Sequence, residues 1–376
     1  MLSKITFFNV GNADTTLIQL NSERNVLWDY ANMQGERHCN LPDELNSRVK
    51  CGYFDVVCFT HADEDHLKGM SEYFYLEHAD KYKVSTRKKI QDLWVPAALL
   101  LESRNDYCYD AKILKAEAKH RFLTTKKGVK VFSKPDALKD WVENEGVAFK
   151  EIEHLIVDAG GLVPGWQKDT DGIEFFVHSP FKGHIDDTDI IRRNEATIIV
   201  QAVFGNATQT KLILGSDVDS ENLRDIVKIT KWHKNESRLL WDIFHLCHHC
   251  SYKAINKDDK GRTKTIPIDE VKWLMETQGQ MGGILISPSD IIPPNDTDQP
   301  PHKQAYNYYK EDVANKKNGK IIVTMENPTK TKPEPLELTI EEHGVKRSEV
   351  SLTEDEKNTV IGSIIKKSES KGNWAK

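Results

Sequence analysis

The residues best suited to chemistry lie in one short run, Thr60-His61-Ala62-Asp63-Glu64-Asp65-His66. It follows Val56-Val57-Cys58-Phe59, an apolar stretch typical of a buried strand. Imidazoles and carboxylates at such short spacing, in a loop at a strand end, can converge on one or two divalent cations. A solvated acidic loop would explain the carboxylates but not the histidines that flank them. The run therefore predicts a metal site with the ligands His61, Asp63, Asp65 and His66.

The run resembles the H-x-[HD]-x-D-H signature of the metallo-β-lactamase superfamily, with Asp63 where many members have His. The Asp form, followed by an apolar residue and Gly69, is most similar to the hydrolase domain of ComEC/Rec2-type DNA-uptake proteins. Further segments resemble other motifs of that family, in the family's order: Phe7–Asp14, Val26–Ala31, Asn194–Asp217, Leu246–Ser251, and Ile284–Ser287 with Pro301-His302. The resemblance spans about residues 4 to 325, interrupted between Gly69 and about Gly172.

The resemblance implies an α/β fold, the αββα metallo-β-lactamase sandwich of two mixed sheets with helices outside. We expect residues 1–344 to form the hydrolase domain, with a helical insertion at about 71–171. Residues 345–376, charged and poor in aromatics, would form a C-terminal tail. Strand patterns occur at 4–20, 24–30, 53–59, 173–178, 196–204, 210–215, 241–247, 283–287 and 319–325, and helical patterns at 220–230 and 267–276.

The resemblance also implies roles for later residues. Asp217 ends an apolar strand pattern and would bridge two metals, although a cap for the following helix is an alternative. Of the adjacent His248 and His249, one would be a ligand and the other would contact the substrate or support the ligands. We assign His248 to the metal and His249, with Asp65, to catalysis. His302 would contact the substrate, although an exposed loop histidine is an equal alternative.

Several positions depart from the family's pattern. Asn194 stands where many members have a further histidine, so one metal position lacks a ligand unless a nearby histidine, His178 or His184, supplies it. Ser216 separates a glycine from Asp217, and Cys250 replaces a glycine after the paired histidines. Asp14 and Asp29 end early strand patterns, and we expect them to brace the metal loop as hydrogen-bond acceptors rather than bind metal.

These features indicate a metal-dependent hydrolase that uses a metal-activated water. The chain has no G-x-S-x-G motif and no P-loop, so neither a nucleophile elbow nor a Walker-type site is indicated. Two divalent ions, zinc or manganese, are the expected cofactors, since carboxylate-rich sites suit manganese as well as zinc. The pair of cysteines around His248 and His249 could indicate a structural zinc site, but no second C-x-x-C accompanies it.

The charge distribution favours a polyanionic substrate. The chain has a net charge of −6, but residues 81–150 carry 16 lysines and arginines against 9 carboxylates. Within this stretch Lys88 and Lys89 lie near Trp94, and we predict that they contact the substrate. The family resemblance implies that this substrate is DNA or RNA. A helical insertion with ordinary solvated lysines is an equal alternative. The expected reaction is phosphodiester hydrolysis of nucleic acid.

Two other functions stay open: hydrolysis of a small molecule, such as a lactone, thioester or nucleotide-derived signal, and a degenerate binding module without activity. No apolar run approaches the roughly 20 residues of a membrane helix. The six scattered cysteines and the absence of a signal-peptide pattern favour a cytoplasmic location. Related stand-alone domains serve in prokaryotic operons, including antiviral defence systems, so a protein partner encoded nearby is also an expectation.

Overall fold

The computed structural model describes residues 2–103, 106–181 and 196–347. Within them the strands form a ten-stranded and a six-stranded sheet. The first sheet contains β1 (Ser3–Phe7), β2 (Thr16–Gln19), β3 (Asn25–Trp28), β4 (Tyr53–Cys58), β5 (Phe74–Tyr75), β6 (Lys88–Pro96), β7 (Val129–Phe132), β8 (Ile156–Val157), β15 (Leu336–Glu341) and β16 (Gly344–Arg347). The second contains β9 (Ile173–Ser179), β10 (Ile199–Phe204), β11 (Lys211–Leu214), β12 (Trp241–His245), β13 (Gly279–Ser287) and β14 (Lys320–Val323).

Both sheets are mixed. The first has the order β16-β15-β1-β2-β3-β4-β6-β7-β8, with β5 beside β6. Its pairs are antiparallel from β16 to β3 and parallel from β3 to β8. The second has the order β14-β13-β12-β11-β10-β9, parallel from β14 to β11 and antiparallel from β11 to β9. Parallel pairs in both sheets bring several strand carboxyl ends to one edge of each sheet.

The α-helices connect these strands. They are α1 (Leu41–Arg48), α2 (Glu64–Leu67), α3 (Met70–Tyr73), α4 (Ala97–Leu101), α5 (Tyr109–Lys119), α6 (Asp136–Asn144), α7 (Phe149–Ile152), α8 (Lys168–Asp171), α9 (Ser220–Trp232), α10 (Asp269–Lys272) and α11 (Lys303–Tyr308). Wider π-helical turns prolong α5, α10 and α11. Among the described residues, no helix is both long and apolar enough to cross a bilayer.

Three apolar layers show how the elements stack. The middle layer joins the inner faces of the two sheets, for example Phe7 and Trp94 from the first with Phe175 and Ile243 from the second. A second layer packs α1, α4, α5 and α6 against the outer face of the first sheet. A third packs α9, α10 and α11 against the outer face of the second sheet. This order of layers is the predicted αββα sandwich, and the predicted fold class is confirmed.

The stretch predicted as a helical insertion also contributes strands. Helices α4 to α8 lie within it, but β5 to β8 extend the first sheet by parallel pairing. Residues 4–20, predicted as one strand, form β1 and β2 with a turn between them. Of the predicted C-terminal tail, residues 345–347 complete β16, and residues 348–376 lie outside the described part of the chain.

Candidate metal centre

The centre lies where strand ends from both sheets meet. β4 ends at Cys58; His61 lies in the loop that follows, and His66 lies in the short helix α2 after it. In the other sheet β11 ends at Leu214, shortly before Asp217. The carboxyl ends of parallel strands are the usual place for ligand sites in α/β proteins. Side chains from both sheets are therefore delivered to one location.

Asp29, directly after β3, fixes the metal loop. Its φ of 55° is left-handed, a conformation in which Asp is enriched relative to most residues. Its carboxylate accepts hydrogen bonds from the Thr60 amide at 2.7 Å, the Thr60 hydroxyl at 2.8 Å and Nδ1 of His66 at 2.9 Å. The predicted bracing role of Asp29 is confirmed. Because Nδ1 carries the proton, Nε2 of His66 is the atom left to bind a cation.

A chain of buried hydroxyls orients His61. Thr197 Oγ1 donates to Ser216 Oγ at 2.8 Å, and Ser216 Oγ donates to Thr60 Oγ1 at 2.9 Å. The hydroxyl protons of Thr60 and Ser216 are thus already used. Nδ1 of His61, 3.1 Å from Thr60 Oγ1 and 3.3 Å from Ser216 Oγ, must therefore donate. Its Nε2 lies 3.7 Å from Oδ2 of Asp63.

The adjacent His248 and His249 lie in different environments. Both have a left-handed φ of 50°, and their rings are perpendicular, with centroids 6.3 Å apart. His249 is buried; its Nδ1 donates to the Pro288 carbonyl at 2.9 Å, and its Nε2 lies 3.1 Å from Oδ2 of Asp65. His248 keeps 23% of its side chain exposed, with Nε2 3.9 Å from Oδ2 of Asp217. The fold therefore brings His249 closer than His248 to the carboxylates.

Four groups converge in the buried part of the centre: Asp14, His66, Asp217 and His249. One ligand atom from each lies within 4.8 Å of the other three, and all four residues are buried. Both Nε2 atoms, of His66 and of His249, lie 3.5 Å from an oxygen of Asp217. Asp14 enters from the loop after β1, with Oδ2 3.6 Å from Nδ1 of His66. The sequence predicted only a bracing role for Asp14.

The charges of these groups are strongly coupled. Burial raises the pKa of Asp217, but His249 and His66 outweigh burial and hold it well below its usual value. Burial lowers the pKa values of His66 and His249, yet the surrounding carboxylates raise both well above 6.5. For Asp65, burial opposes ionisation, while His66 and His249 lower the pKa to about 2. Positive charge at this centre, whether protons or a metal ion, compensates the buried carboxylates.

The side chains present suit a divalent metal. Four buried atoms that face the centre have no hydrogen-bond partner among the described residues: Asp14 Oδ1, His61 Nε2, His66 Nε2 and Asp217 Oδ1. Buried polar atoms are seldom left without a partner, and each such atom calls for an explanation. Imidazole nitrogen and carboxylate oxygen are usual ligands of zinc and manganese. Bound divalent metal would supply partners for these atoms.

Lys88 and Lys89 lie far from this centre. Lys89 pairs with Tyr53 at the start of β4, whereas the metal loop follows the other end of that strand at Cys58. At about 3.3 Å per residue, these two ends are roughly 16 Å apart. Lys88 Nζ donates to two backbone carbonyls at 2.7 Å. The structure does not bring either predicted substrate contact to the metal loop.

His302 supports the histidine loop. Although predicted to contact substrate, it is only 1% exposed, and its amide donates to the Cys250 carbonyl at 3.1 Å. Its Nδ1 accepts from the Tyr252 amide at 3.4 Å, and its ring meets the Tyr252 ring edge-on at 4.8 Å. Cys250 itself adopts a φ of 64°, the left-handed conformation that glycine would take at this position.

Of the three positions considered for the missing ligand, the structure describes only His178. Asn194 and His184 lie outside the described residues. His178 is buried on β9, where its Nε2 donates to the Arg238 carbonyl at 2.9 Å. Burial lowers the pKa of His178 to about 4, so it is neutral at physiological pH. It does not belong to the group of four converging residues.

Sequence reasoning missed His245 altogether. It ends β12, is 1% exposed, and places Nε2 3.3 Å from Oδ1 of Asp14. Its ring stacks on Phe7 at a centroid distance of 5.7 Å. Strand alternation could have indicated that His245 is buried. Ile243 faces the core between the sheets, and His245, two residues further along the strand, faces the same way.

The two packed sheets and a metal loop at the end of β4 are what the resemblance implies. The fold is an αββα sandwich, the architecture that the resemblance to the metallo-β-lactamase superfamily implies. No protein-family model matches the chain, and no curated protein matches it at a significant level. Several solved structures do match, with low TM-scores.

One similar structure is a diphosphatase of the PhnP family, at 12% identity and a TM-score of 0.29, over 76% of this chain and 85% of that one. Another is CmlA, a diiron β-hydroxylase from Streptomyces venezuelae. Its sequence identity is 10% and its TM-score 0.32, over 77% of this chain and 46% of that one. A third is Zn²⁺-bound PqqB from Methylobacterium extorquens. Its sequence identity is 11% and its TM-score 0.23, over 62% of this chain and 59% of that one. The chain thus spans about half the length of the last two.

Proposed function

We propose that this protein is a metal-dependent hydrolase that cleaves phosphodiester bonds in DNA or RNA. One observation carries the hydrolase part. Four buried imidazoles each donate through Nδ1 and direct Nε2 at a carboxylate: His61, His66, His245 and His249. An imidazole lone pair that faces a carboxylate in a buried site is repulsive unless a proton or a metal ion lies between them. Such a site is built to hold cations.

Two divalent ions, zinc or manganese, would be held by His61, Asp63, Asp65, His66, Asp217 and, of the paired histidines, His249. When bound, they would polarise a phosphoryl oxygen and lower the pKa of a coordinated water toward neutrality. Asp65 keeps 31% of its side chain exposed at the mouth of the site. As a carboxylate at the mouth of the site, it would accept the proton of an attacking water.

Nucleic acid is proposed on two grounds. The metal-loop motif is most similar to that of ComEC/Rec2-type hydrolase domains. In addition, the loop after the paired histidines is basic, with Lys253, Lys257, Lys260, Arg262 and Lys264. Lys253 lies four residues after His249, is exposed, and forms no ion pair with any described residue. An exposed cation without an ion pair to any described residue is available to a phosphate of the substrate.

The assay incubates the protein with single- and double-stranded DNA and RNA, plus Mn²⁺ or Zn²⁺. Cleavage that Asp65→Ala and Asp217→Ala abolish, in variants that stay folded, supports the proposal. Turnover of a lactone, thioester or cyclic nucleotide without nucleic-acid cleavage would instead indicate a small-molecule hydrolase. Metal content near zero, with no turnover of any substrate, would indicate a binding module.

Two lysines separate a substrate surface near the centre from general electrostatics. Lys253→Gln should weaken nucleic-acid binding and reduce its dependence on salt, because one phosphate contact is lost. Lys89→Gln removes the same charge at the start of β6, remote from the metal loop, and is the matched control. Equal effects of the two substitutions would contradict a specific contact through Lys253.

A further inference from the structure

We infer that the two metal positions are unequal, and that Asp14 is a ligand of the tighter one. In this arrangement Asp14, His66, Asp217 and His249 form a buried position that retains its ion, whereas the position at His61 and Asp63 takes its ion from solution. The inference rests on the proposed metal-dependent function. It goes beyond that function because it assigns Asp14 a ligand role and predicts an order of metal loading.

The buried position already has a complete set of donors. Two imidazole nitrogens and two carboxylate oxygens, all mutually within 4.8 Å, match the four ligands of a closed zinc site. Asp14 is 2% exposed and Asp217 is 5% exposed, so water has little access to them. A site with this many protein donors and so little solvent releases its ion slowly, because several protein ligands must be displaced together.

The Asp14 carboxylate is aimed into the centre by its surroundings. The Asp14 amide donates to the Asp65 carbonyl at 3.1 Å, which fixes the backbone of this loop against the metal loop. His245 Nε2 lies 3.3 Å from Oδ1, and His66 Nδ1 lies 3.6 Å from Oδ2. Among the described residues the Asp14 carboxylate therefore meets imidazoles and no lysine or arginine. A buried carboxylate in these surroundings is expected to lie beside a bound cation.

Charge balance leads to the same assignment. Asp14 and Asp217 are two buried carboxylates in one cluster, and neither pairs with a lysine or arginine among the described residues. Burying two such charges together is costly unless positive charge compensates them. Since only histidines contact them, the compensating charge is either protons on those imidazoles or, with the imidazoles neutral, one divalent cation.

The other position is open and has fewer donors. His61 Nε2 is buried, but Asp63, at 3.7 Å, has 35% of its side chain exposed. The nearest groups on the other side of His61 are the hydroxyls of Thr60 and Ser216, which are engaged in the hydrogen-bonded chain. The described residues therefore supply this position with His61 and Asp63, plus shared oxygens of Asp65 or Asp217. An ion here keeps water ligands and exchanges readily.

The test measures metal binding without any substrate, so its outcome does not depend on nucleic-acid cleavage. Protein dialysed to remove loosely held metal is analysed for zinc and manganese by mass spectrometry. It is then titrated with Mn²⁺ and followed by electron paramagnetic resonance. We expect about one ion per chain to remain after dialysis and a second to bind at a concentration at least tenfold higher. Two ions retained with equal affinity would overturn the inference.

Substitutions assign the two ions to the two positions. Asp14→Asn should lose the retained ion, with a fall in its affinity of about tenfold or more. Asp63→Asn should keep that ion and weaken only the second. Asp290→Asn removes an exposed carboxylate near the same loop and should change neither. Retention of one ion with unchanged affinity in Asp14→Asn would overturn the ligand role of Asp14, and the titration of the unmodified protein tests the inequality even if a variant misfolds.

Discussion

The Asp29 carboxylate and the His66 imidazole form a buried pair, 2.9 Å apart, that joins the end of β3 to the loop after β4. The same oxygen accepts from the Thr60 hydroxyl, so one carboxylate sets both the tautomer of a ligand and the course of its loop. Neither residue is measurably exposed. The centre is therefore held in place from behind as well as formed by its own donors.

Asp29→Asn should weaken metal binding about 10–100-fold while the fold is retained. Asn has the same shape and tolerates the left-handed backbone at this position, but it cannot accept from both His66 and Thr60 as a carboxylate does. Metal content after dialysis and a thermal unfolding curve in chelator measure the two properties separately. Unchanged metal affinity would show that Asp29 only stabilises the loop.

The paired histidines provide a matched test. His249→Ala should lose metal and activity, because Nε2 of His249 lies among the buried carboxylates. His248→Ala should retain metal, since its ring is partly exposed and 3.9 Å from Asp217. Metal analysis of both variants decides between them. The reverse result would support the assignment drawn from the sequence, with His248 as the ligand.

The metal-free protein should lose stability as pH rises above about 6.5. The pKa values of His66 and His249 are raised well above that value in the folded state. Their contribution is therefore fully present below pH 6.5 and is lost as pH rises through the folded pKa values. Urea unfolding in chelator between pH 6 and 9 measures it. Bound metal should abolish the trend, and stability that increased with pH in chelator would contradict it.

The same protons should appear when metal binds. A ligand imidazole must be deprotonated at Nε2, so loading the centre at pH 7 should release protons from His66 and His249. Calorimetric titration with Mn²⁺ in two buffers of different ionisation enthalpy counts the protons released. An identical heat in both buffers would mean that these imidazoles are already neutral in the metal-free protein.

Lys88 should prove structural. Its ammonium donates to two carbonyls at 2.7 Å, and burial lowers its pKa. Lys88→Ala should reduce the free energy of unfolding by about 1–3 kcal/mol, the usual effect of removing a charged hydrogen-bonding group. Lys89→Ala, at an exposed neighbouring position, should have little effect. Loss of catalytic activity without loss of stability in Lys88→Ala would restore the predicted substrate contact.

The sequence carried most of the fold. Strands β4, β9, β11 and β12 and helix α9 are local patterns of apolar residues that end in polar motifs, and each forms close to its predicted position. The strands of the insertion were missed for a local reason. Lys88–Pro96 begins with two lysines and lacks strict alternation, so its strand character comes from pairing with β4 and β7 rather than from its own residues.

The metal loop could be predicted because its donors are close in sequence. The contact between Asp14 and His245 could not, because 231 positions separate them and only the packing of the two sheets brings their atoms to 3.3 Å. The distance of Lys88 and Lys89 from the metal loop could not be predicted for a related reason. Their charge was visible in the sequence, whereas the direction of the strand, which carries them away from the metal loop, depends on tertiary pairing.

The origin of the four converging donors has a mechanical consequence. Asp14 and His66 belong to loops of the first sheet, while Asp217 and His249 belong to loops of the second. Within the described residues the strands of the two sheets form separate hydrogen-bonded sets, joined face to face by apolar packing. A bound ion would cross-link the two sheets at one edge. Amide hydrogens near that edge would then exchange with solvent slowly when metal is present and faster after chelation. The exchange of amides near Lys89, at the opposite end of β4 and β6, would not depend on metal.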